Sequence, residues 1–136
     1  MSWTLEDEIA WSRNNPFRNF IGMEITALDD KGNAVVSLEV DAHLLQAYGM
    51  VHGGVYCVLL DTVMGTSVRA GYQRDVRPNT IDLNVSFLRP SGVGRLTAAA
   101  ELVKKGRNIA VCTGSVSDSE GRLAALGRAS FLLRDN

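Results

Sequence analysis

The sequence predicts an α+β domain in which one antiparallel sheet wraps around a single central helix. Three observations support this. A long segment in the middle of the chain is apolar on nearly all sides, four strand-like segments follow it, and short turn sequences join the last three. Short connections favour antiparallel pairing. A helix without a polar face must be covered on most sides, and a curled sheet is the simplest cover.

The chain has the length and composition of one globular domain. It contains 136 residues, of which 46% are hydrophobic and 21% are charged, and these values are ordinary for a globular protein. No repeat or Pro/Gly-rich linker divides it, so residues 1–136 are predicted to form a single domain. The formal net charge is −1 and neither half is strongly basic, so no nucleic-acid partner is expected.

Cysteine usage and the N-terminus favour a cytoplasmic location. Cys57 and Cys112 lie far apart in apolar segments and form no disulfide framework. The start, MSWTLEDEIAWSRNNPF, lacks the basic region and apolar stretch of a signal peptide. No run reaches the roughly 18 apolar residues of a membrane span, so no membrane association is expected. The histidines, His43 and His52, share no metal-ligand spacing with a cysteine or an acid, so no metal is expected.

The first part of the chain is predicted to form one helix and two strands. Residues 5–14 have an amphipathic helical pattern with acidic residues in the first turn, where they suit the helix dipole. Thr4 is the expected N-cap and Pro16 the expected stop. FIGMEITALDD is predicted to be a short strand, DDKGN a turn, and NAVVSLEVD a half-buried strand with alternating burial.

The stretch from about Gly53 to Ala70 is predicted to be the buried central helix, ending at Gly71. The polar loop GYQRDVRPN follows, and then the strand TIDLNVSFL, in which four apolar residues are expected to face the core, namely Ile81, Leu83, Val85 and Phe87. RLTAAAELV, NIAVCTGSVSD and RLAALGRASFLL complete the sheet, with KKGR and SEGR as hairpin turns. This element order is that of the hotdog fold. Its free edge strand favours dimerisation by edge-to-edge pairing.

A single carboxylate, Asp61, interrupts the apolar helix and marks the candidate site. At 100° per residue it shares a stripe with Gly54, Cys57 and Gly65, whose small side chains let a ligand approach the helix. Burying an unpaired carboxylate is costly. Asp61 is therefore interpreted either as a functional group or as a buried acid with a polar partner elsewhere in the fold.

Two glycines and a histidine precede the helix. Gly53 and Gly54 lie at the predicted N-terminus, where free N–H groups and the helix dipole favour a negatively charged oxygen. Taken alone, His52 also fits a capping or core residue, and paired glycines commonly mark a turn. Asp61 follows Gly53 by eight residues, or roughly 12 Å of helix. An oxyanion site and a carboxylate suit acyl transfer to water, and their separation favours a site shared between two subunits.

The segment YGMVHGGVYCVLLDTVMG, with the following TIDLNVSFLRP, resembles hotdog-fold acyl-CoA thioesterases of the phenylacetic acid degradation (PaaI-like) type. The resemblance runs from about Asn19 to Leu133 and depends on a polar amide, a G-x-x-H-G-G motif and an acid nine residues after the histidine. It implies hydrolysis of an acyl-CoA to a free acid and coenzyme A, without a metal or organic cofactor. In this reaction Asp61 would be the general base or nucleophile, and the Gly53 N–H would be the oxyanion donor.

The same resemblance implies roles for other residues. His52 would support the turn, and Gln46, where close relatives often have asparagine, would hold water or the thioester. Thr80 would position water. Four basic residues are candidates for the coenzyme A phosphates, although solvated turn charges explain them equally well: Arg89, Lys104, Lys105 and Arg107.

The resemblance further implies a homodimer with sites at its interface, commonly paired into a dimer of dimers. Asp61 would come from one subunit, and the turn of Gln46, His52 and Gly53 from the other. Two alternatives stay open. An enoyl-CoA hydratase or dehydratase on the same fold needs a histidine and an acid that act together, and an acyl-CoA-binding module needs no turnover. Aromatic and aliphatic acyl groups are both compatible with the sequence.

Overall fold

The structure is a computed structural model that describes residues 2–135, and these form a six-stranded antiparallel sheet with three α-helices. The helices are α1 (Leu5–Ser12), α2 (Pro16–Ile21) and α3 (Gly53–Tyr72), and a 3-10 turn spans Ala42–Leu44. The strands are β1 (Glu24–Leu28), β2 (Ala34–Val40), β3 (Val76–Phe87), β4 (Gly94–Lys105), β5 (Ile109–Ser117) and β6 (Leu123–Asp135). Their order across the sheet is β1-β2-β4-β5-β6-β3.

The central helix α3 lies against all six strands, so the sheet wraps around it and the predicted hotdog fold is confirmed. Five of its apolar side chains are fully buried: Leu59, Leu60, Val63, Met64 and Val68. Two glycines of the sheet let the helix approach closely. A Cβ on Gly127 would lie 3.0 Å from Leu60 Cδ1, and one on Gly114, its partner across β5 and β6, would lie 3.2 Å from Leu60 Cδ2.

The chain between α1 and β1 differs from the prediction. Thr4 is the N-cap as expected, but α1 is shorter than residues 5–14. Pro16 does not end the helical region; it begins α2, where its missing N–H costs nothing. The first residues of FIGMEITALDD therefore close a helix, which ends at Gly22 with φ +90°, and the strand starts only at Glu24. A helix of 6 residues is too short to show a clear period in the sequence.

The edge strand β3 also differs from its prediction. It begins at Val76, inside the expected loop, and Ile81 and Phe87 are 55% and 57% exposed rather than buried. A bulge between Thr80 and Asp82 displaces the alternation at Ile81. Because β3 is an edge, its unpaired backbone groups and exposed apolar side chains form a surface that another chain can cover.

A buried cluster of charged residues joins the N-terminal helices to α3. The Glu8 carboxylate accepts hydrogen bonds from Arg69 Nε (2.9 Å) and Trp3 Nε1 (2.7 Å). Arg18 Nη1 lies 3.6 Å from Glu8, and its Nη2 donates to Thr66 Oγ1 at 3.2 Å. Burial raises the pKa of Glu8, but the hydrogen bond and charge of Arg69 outweigh it and hold that pKa below its ordinary value. Glu8 is therefore an ionised residue inside the protein.

Replacing Glu8 by glutamine would leave two arginines without their buried anion. We expect Glu8→Gln to lower the free energy of unfolding by about 3–5 kcal/mol at pH 7. The lowered pKa means that the carboxylate stabilises the wild type above its unfolded-state value of about 4.3 and that this contribution is lost as the pH falls further. Urea unfolding at several pH values measures both effects. The control is Glu6→Gln, an exposed acid on the same helix, and equal stability of the two variants would contradict the prediction.

Candidate active site

The loop before α3 holds Gln46 through its side chain. Residues 45–51 form a turn closed by pairing of its first and last residues, with Gly49 in the left-handed conformation at φ +87°. Gln46 Oε1 accepts hydrogen bonds from the backbone N–H groups of Tyr48 and Met50. Because the loop uses the amide oxygen, the Nε2 amino group is the end of this side chain that is left to donate.

His52 is the N-cap of α3. Its Nδ1 accepts a hydrogen bond from the Gly54 N–H at 2.8 Å. Only an unprotonated nitrogen can accept, so the ring proton lies on Nε2. The imidazole folds over the helix start so closely that a Cβ on Gly54 would lie 3.0 Å from Nδ1. The cap therefore explains the glycine at position 54.

The backbone N–H of Gly53 is free at the start of α3. It has no hydrogen-bond acceptor within residues 2–135, whereas the N–H groups of Gly54 and Val55 are both bonded to His52. A free N–H at the positive end of a helix dipole can bind an oxygen that carries negative charge. The ring of Phe87 lies beside it, with Cε1 3.5 Å from the position that a Gly53 Cβ would take.

Asp61 lies two turns further along α3 and is paired with Thr80. The Thr80 hydroxyl donates to Asp61 Oδ1 at 2.7 Å, which leaves Oδ2 for water or a substrate. Asp61 is partly exposed, and within residues 2–135 it forms no salt bridge. Asp61 thus has a hydroxyl partner from another element of the fold, and its partial exposure leaves the carboxylate accessible.

The predicted site residues form two groups that one chain does not bring together. Gln46 and His52 belong to the segment that leads into Gly53, while Thr80 donates to Asp61. Asp61 follows Gly53 by eight residues along α3, which corresponds to about 12 Å. A carbonyl oxygen bound at Gly53 is therefore out of reach of the carboxylate on the same helix.

The basic residues predicted for the coenzyme A phosphates lie at opposite ends of α3. Arg89 is near its N-terminal end, because Ser91 accepts a hydrogen bond from the N–H of Val51. The other three are near its C-terminal end, where Tyr72 donates to the Gly106 carbonyl: Lys104, Lys105 and Arg107. The 20 residues of α3 span about 30 Å, so one chain does not gather all four residues at one site.

A cavity of about 290 Å³ opens beside the helix start. Its polar atoms come from His52 and His43, and its walls are aliphatic: Ile21, Leu44, Leu45, Val55 and Val58. Gly54 and Val58 precede Asp61 at helical spacing, so the cavity lies on the face of α3 that carries the carboxylate. Sequence analysis missed it because its walls come from α2, the 3-10 turn and α3, which are distant along the chain.

Other features of the described chain lie away from this site. A larger cavity of about 660 Å³ crosses the sheet on the side opposite α3 and includes none of the predicted site residues. Among residues 2–135, no three His, Cys, Asp or Glu side chains are grouped as metal ligands would be. In the same range, no helix has the length and hydropathy needed to cross a membrane.

The fold is that of hotdog thioesterases, and the free Gly53 N–H and the Asp61 carboxylate both lie on its central helix. The chain belongs to the thioesterase superfamily, whose family model matches residues 48–125. It is accordingly a thioester hydrolase, of the PaaI-like type that the sequence resembles.

Three similar proteins support this assignment. A candidate esterase of Halobacterium salinarum is 42% identical over 97 residues, which are 65% of this chain and 64% of that protein. The 1,4-dihydroxy-2-naphthoyl-CoA hydrolase of Listeria monocytogenes is 29% identical over 114 residues, covering 84% and 92% of the two chains. The structure of the N33D mutant of phenylacetic acid degradation protein PaaI from Thermus thermophilus superposes with a TM-score of 0.78 at 28% identity, covering 87% and 98%.

The packing of His52 on Gly54 gives a test of the helix start. Gly54→Ala would push the imidazole from its cap and displace the neighbouring Gly53 N–H. We expect kcat/KM for thioester hydrolysis to fall about 10- to 100-fold, as small displacements of catalytic groups do. The matched control is Gly92→Ala, since a Cβ at that glycine meets no atom within 4 Å. Equal activity of the two variants would rule out this role of the cap.

Proposed function

We propose that the protein hydrolyses acyl-CoA thioesters to a free acid and coenzyme A at a site shared by two copies of the chain. One observation carries the proposal: the free N–H of Gly53 and the Asp61 carboxylate, which Thr80 holds from β3, are separated by about 12 Å along one helix. Both groups are needed at one thioester carbonyl, so each must act with the complementary group of another copy.

The edge strand β3 offers a way to join the two halves. If the β3 strands of two copies pair antiparallel about a two-fold axis, the two α3 helices also run antiparallel. The N-terminal end of one helix then lies beside the middle of the other, with Gly53 of one copy near Asp61 of the second. The exposed Ile81 and Phe87 of β3 would be covered by the same pairing.

The chemistry follows from the donors and acceptors at such a site. The Gly53 N–H would bind the thioester carbonyl oxygen and stabilise the oxyanion. Asp61 Oδ2 would take a proton from water as the water attacks the carbonyl carbon, or would attack that carbon itself. Thr80 holds Oδ1 and can accept a hydrogen bond from the attacking water, and the Gln46 amide can hold the thioester. The C–S bond then breaks, and coenzyme A leaves as the thiolate, which takes the proton that Asp61 accepted from water. If Asp61 attacks directly, loss of the thiolate leaves a mixed anhydride on Asp61, and water must then hydrolyse it to release the free acid and supply the proton.

The cavity beside Gly53 favours an aromatic acyl group of moderate size. Its volume of about 290 Å³ is roughly twice the ~150 Å³ of an apolar cavity that holds benzene, so it fits one substituted ring or two fused rings. Its aliphatic walls suit a ring better than the pantetheine arm, whose amides would lose hydrogen bonds there. The Listeria relative is named for a two-ring acyl group, which fits the same size.

The structure gives no observation that favours the hydratase alternative. That reaction needs a histidine and an acid acting as a pair. In one chain, His52 Nδ1 is occupied by Gly54, and Asp61 is bonded to Thr80 instead.

Release of free thiol from a panel of acyl-CoAs tests the activity. Benzoyl-, phenylacetyl-, naphthoyl-, and short and long aliphatic thioesters would be compared, and we expect the aromatic ones to react fastest. Asp61→Asn should lower kcat by at least about 100-fold, which corresponds to about 2.7 kcal/mol of transition-state stabilisation. Asp30→Asn, an exposed acid in a turn, is the control. Absence of thiol release from the whole panel would refute the proposed function.

A mixed dimer tests whether the site is shared. Asp61→Asn and Gly54→Ala would be co-expressed with different affinity tags, and the doubly tagged dimer isolated. Each such dimer would carry one site with both changes and one unaltered site, so about half of the wild-type activity is expected. If every site lay within a single chain, the mixed dimer would have only the residual activity of the two variants.

A further inference from the structure

The cavity at the start of α3 is bounded on one side by α2. Ile21, the last residue of this helix, lines it together with Leu44, Leu45 and Val58. The other aliphatic walls belong to α3 and to the 3-10 segment that follows β2. α2 instead precedes β1 and, among the described residues, pairs with no strand of the sheet. The position of this wall therefore depends on what anchors α2.

Arg18 anchors α2 inside the protein. It is 5% exposed, its Nη2 donates to Thr66 Oγ1 at 3.2 Å, and its Nη1 lies 3.6 Å from the Glu8 carboxylate. Its guanidinium also stacks over the ring of Trp11, 5.3 Å from the ring centre. Ile21 follows Arg18 by three residues, so the two side chains are neighbours on one face of α2. The contacts of Arg18 therefore fix the place of Ile21.

On α3, the anchor and the cavity lie along one stripe, whose members follow each other at intervals of four residues: Gly54, Val58, Thr62 and Thr66. Arg18 donates to the last of these residues, and Ile21 lines the cavity with the first two. α2 therefore runs along this stripe, with Ile21 at the end nearer to the start of α3. A displacement of α2 would change the width of the cavity without breaking any strand pairing.

We propose that α2 is the wall that selects the acyl group, with Ile21 as a specificity-determining residue and Arg18 as the positioning residue that holds it. The inference rests on the proposed function, in which this cavity receives the acyl group. Ile21 is partly buried and helps to limit the cavity to about 290 Å³. A smaller side chain at position 21 would admit a wider acyl group, and a larger one would exclude it.

Two substitutions of Ile21 in the full-length protein test the wall in opposite directions. The readout is the ratio of kcat/KM for naphthoyl-CoA to that for benzoyl-CoA, measured by thiol release. We expect Ile21→Ala to raise this ratio about 10-fold and Ile21→Phe to lower it about 10-fold, as changes of a few carbon atoms in an apolar pocket do. A loss of stability lowers kcat/KM for both substrates and cannot produce opposite shifts.

The control is Phe20→Ala, on the same helix. Phe20 is 77% exposed and is not among the residues that line the cavity, so its removal should leave the ratio unchanged. If Phe20→Ala raises the ratio as much as Ile21→Ala, the effect belongs to α2 in general, and Ile21 has no special role.

Substitutions of Arg18 test the anchor with the same readout. Arg18→Met removes the hydrogen bond to Thr66 and the contact with Glu8, so we expect the ratio to rise in the same direction as for Ile21→Ala, by up to about 10-fold. Arg18→Lys keeps a charged donor on a long stem and should restore a ratio close to that of the wild type. An unchanged ratio in a folded Arg18→Met would remove the positioning role.

The inference and the proposed function fail in different ways. If Ile21→Ala and Ile21→Phe both hydrolyse the two substrates in the wild-type ratio, the inference is overturned and the proposed function stands. If Arg18→Met does not fold, the two Ile21 variants still decide whether α2 is the wall. Absence of thiol release from the wild type would instead refute the proposed function itself.

Discussion

The burial of α3 is the constraint on which the rest of this structure depends. A helix that is apolar on nearly every side is stable only if other elements cover it, and here six strands of one sheet do so. Leu60 is fully buried against two glycines, which shows how closely the sheet approaches. Polar groups on such a helix are costly to bury, and the buried ones, such as Thr66 and Arg69, are paired with polar groups of other elements. The free Gly53 N–H and the partly exposed Asp61 therefore stand out as the candidate functional groups.

The length of that helix is also the basis of the proposal that two copies of the chain share each site. The free N–H groups of a helix occur only at its N-terminus, and Asp61 lies two turns away. In the proposed shared site, the exposed edge strand β3 joins the two copies, and Thr80 of the same strand holds the carboxylate. Under this proposal, a change in β3 affects both association and catalysis.

The N-terminal helices contribute electrostatics as well as cover. Glu8, Arg18 and Arg69 are almost completely removed from water, and charges in such a place interact more strongly than at the surface. Replacing them by apolar residues would be compatible with the fold, since buried ion pairs are rarely the most stabilising choice.

The sequence by itself determined the fold class and was enough to select Gly53, His52 and Asp61 as candidate site residues, because an apolar helix, alternating strands and an H-G-G start are local patterns. The sequence did not predict the short helix α2 or the bulge in β3. A helix of 6 residues is too short to show a helical period, and a bulge shifts the alternation of buried and exposed side chains along a strand. Only the tertiary structure decided that Thr80 meets Asp61 and that Glu8 meets Arg69, because these contacts join residues 19 and 61 positions apart. Contacts between residues so far apart in the sequence depend on how the sheet and the N-terminal helices pack around α3, and a local sequence pattern does not predict that packing.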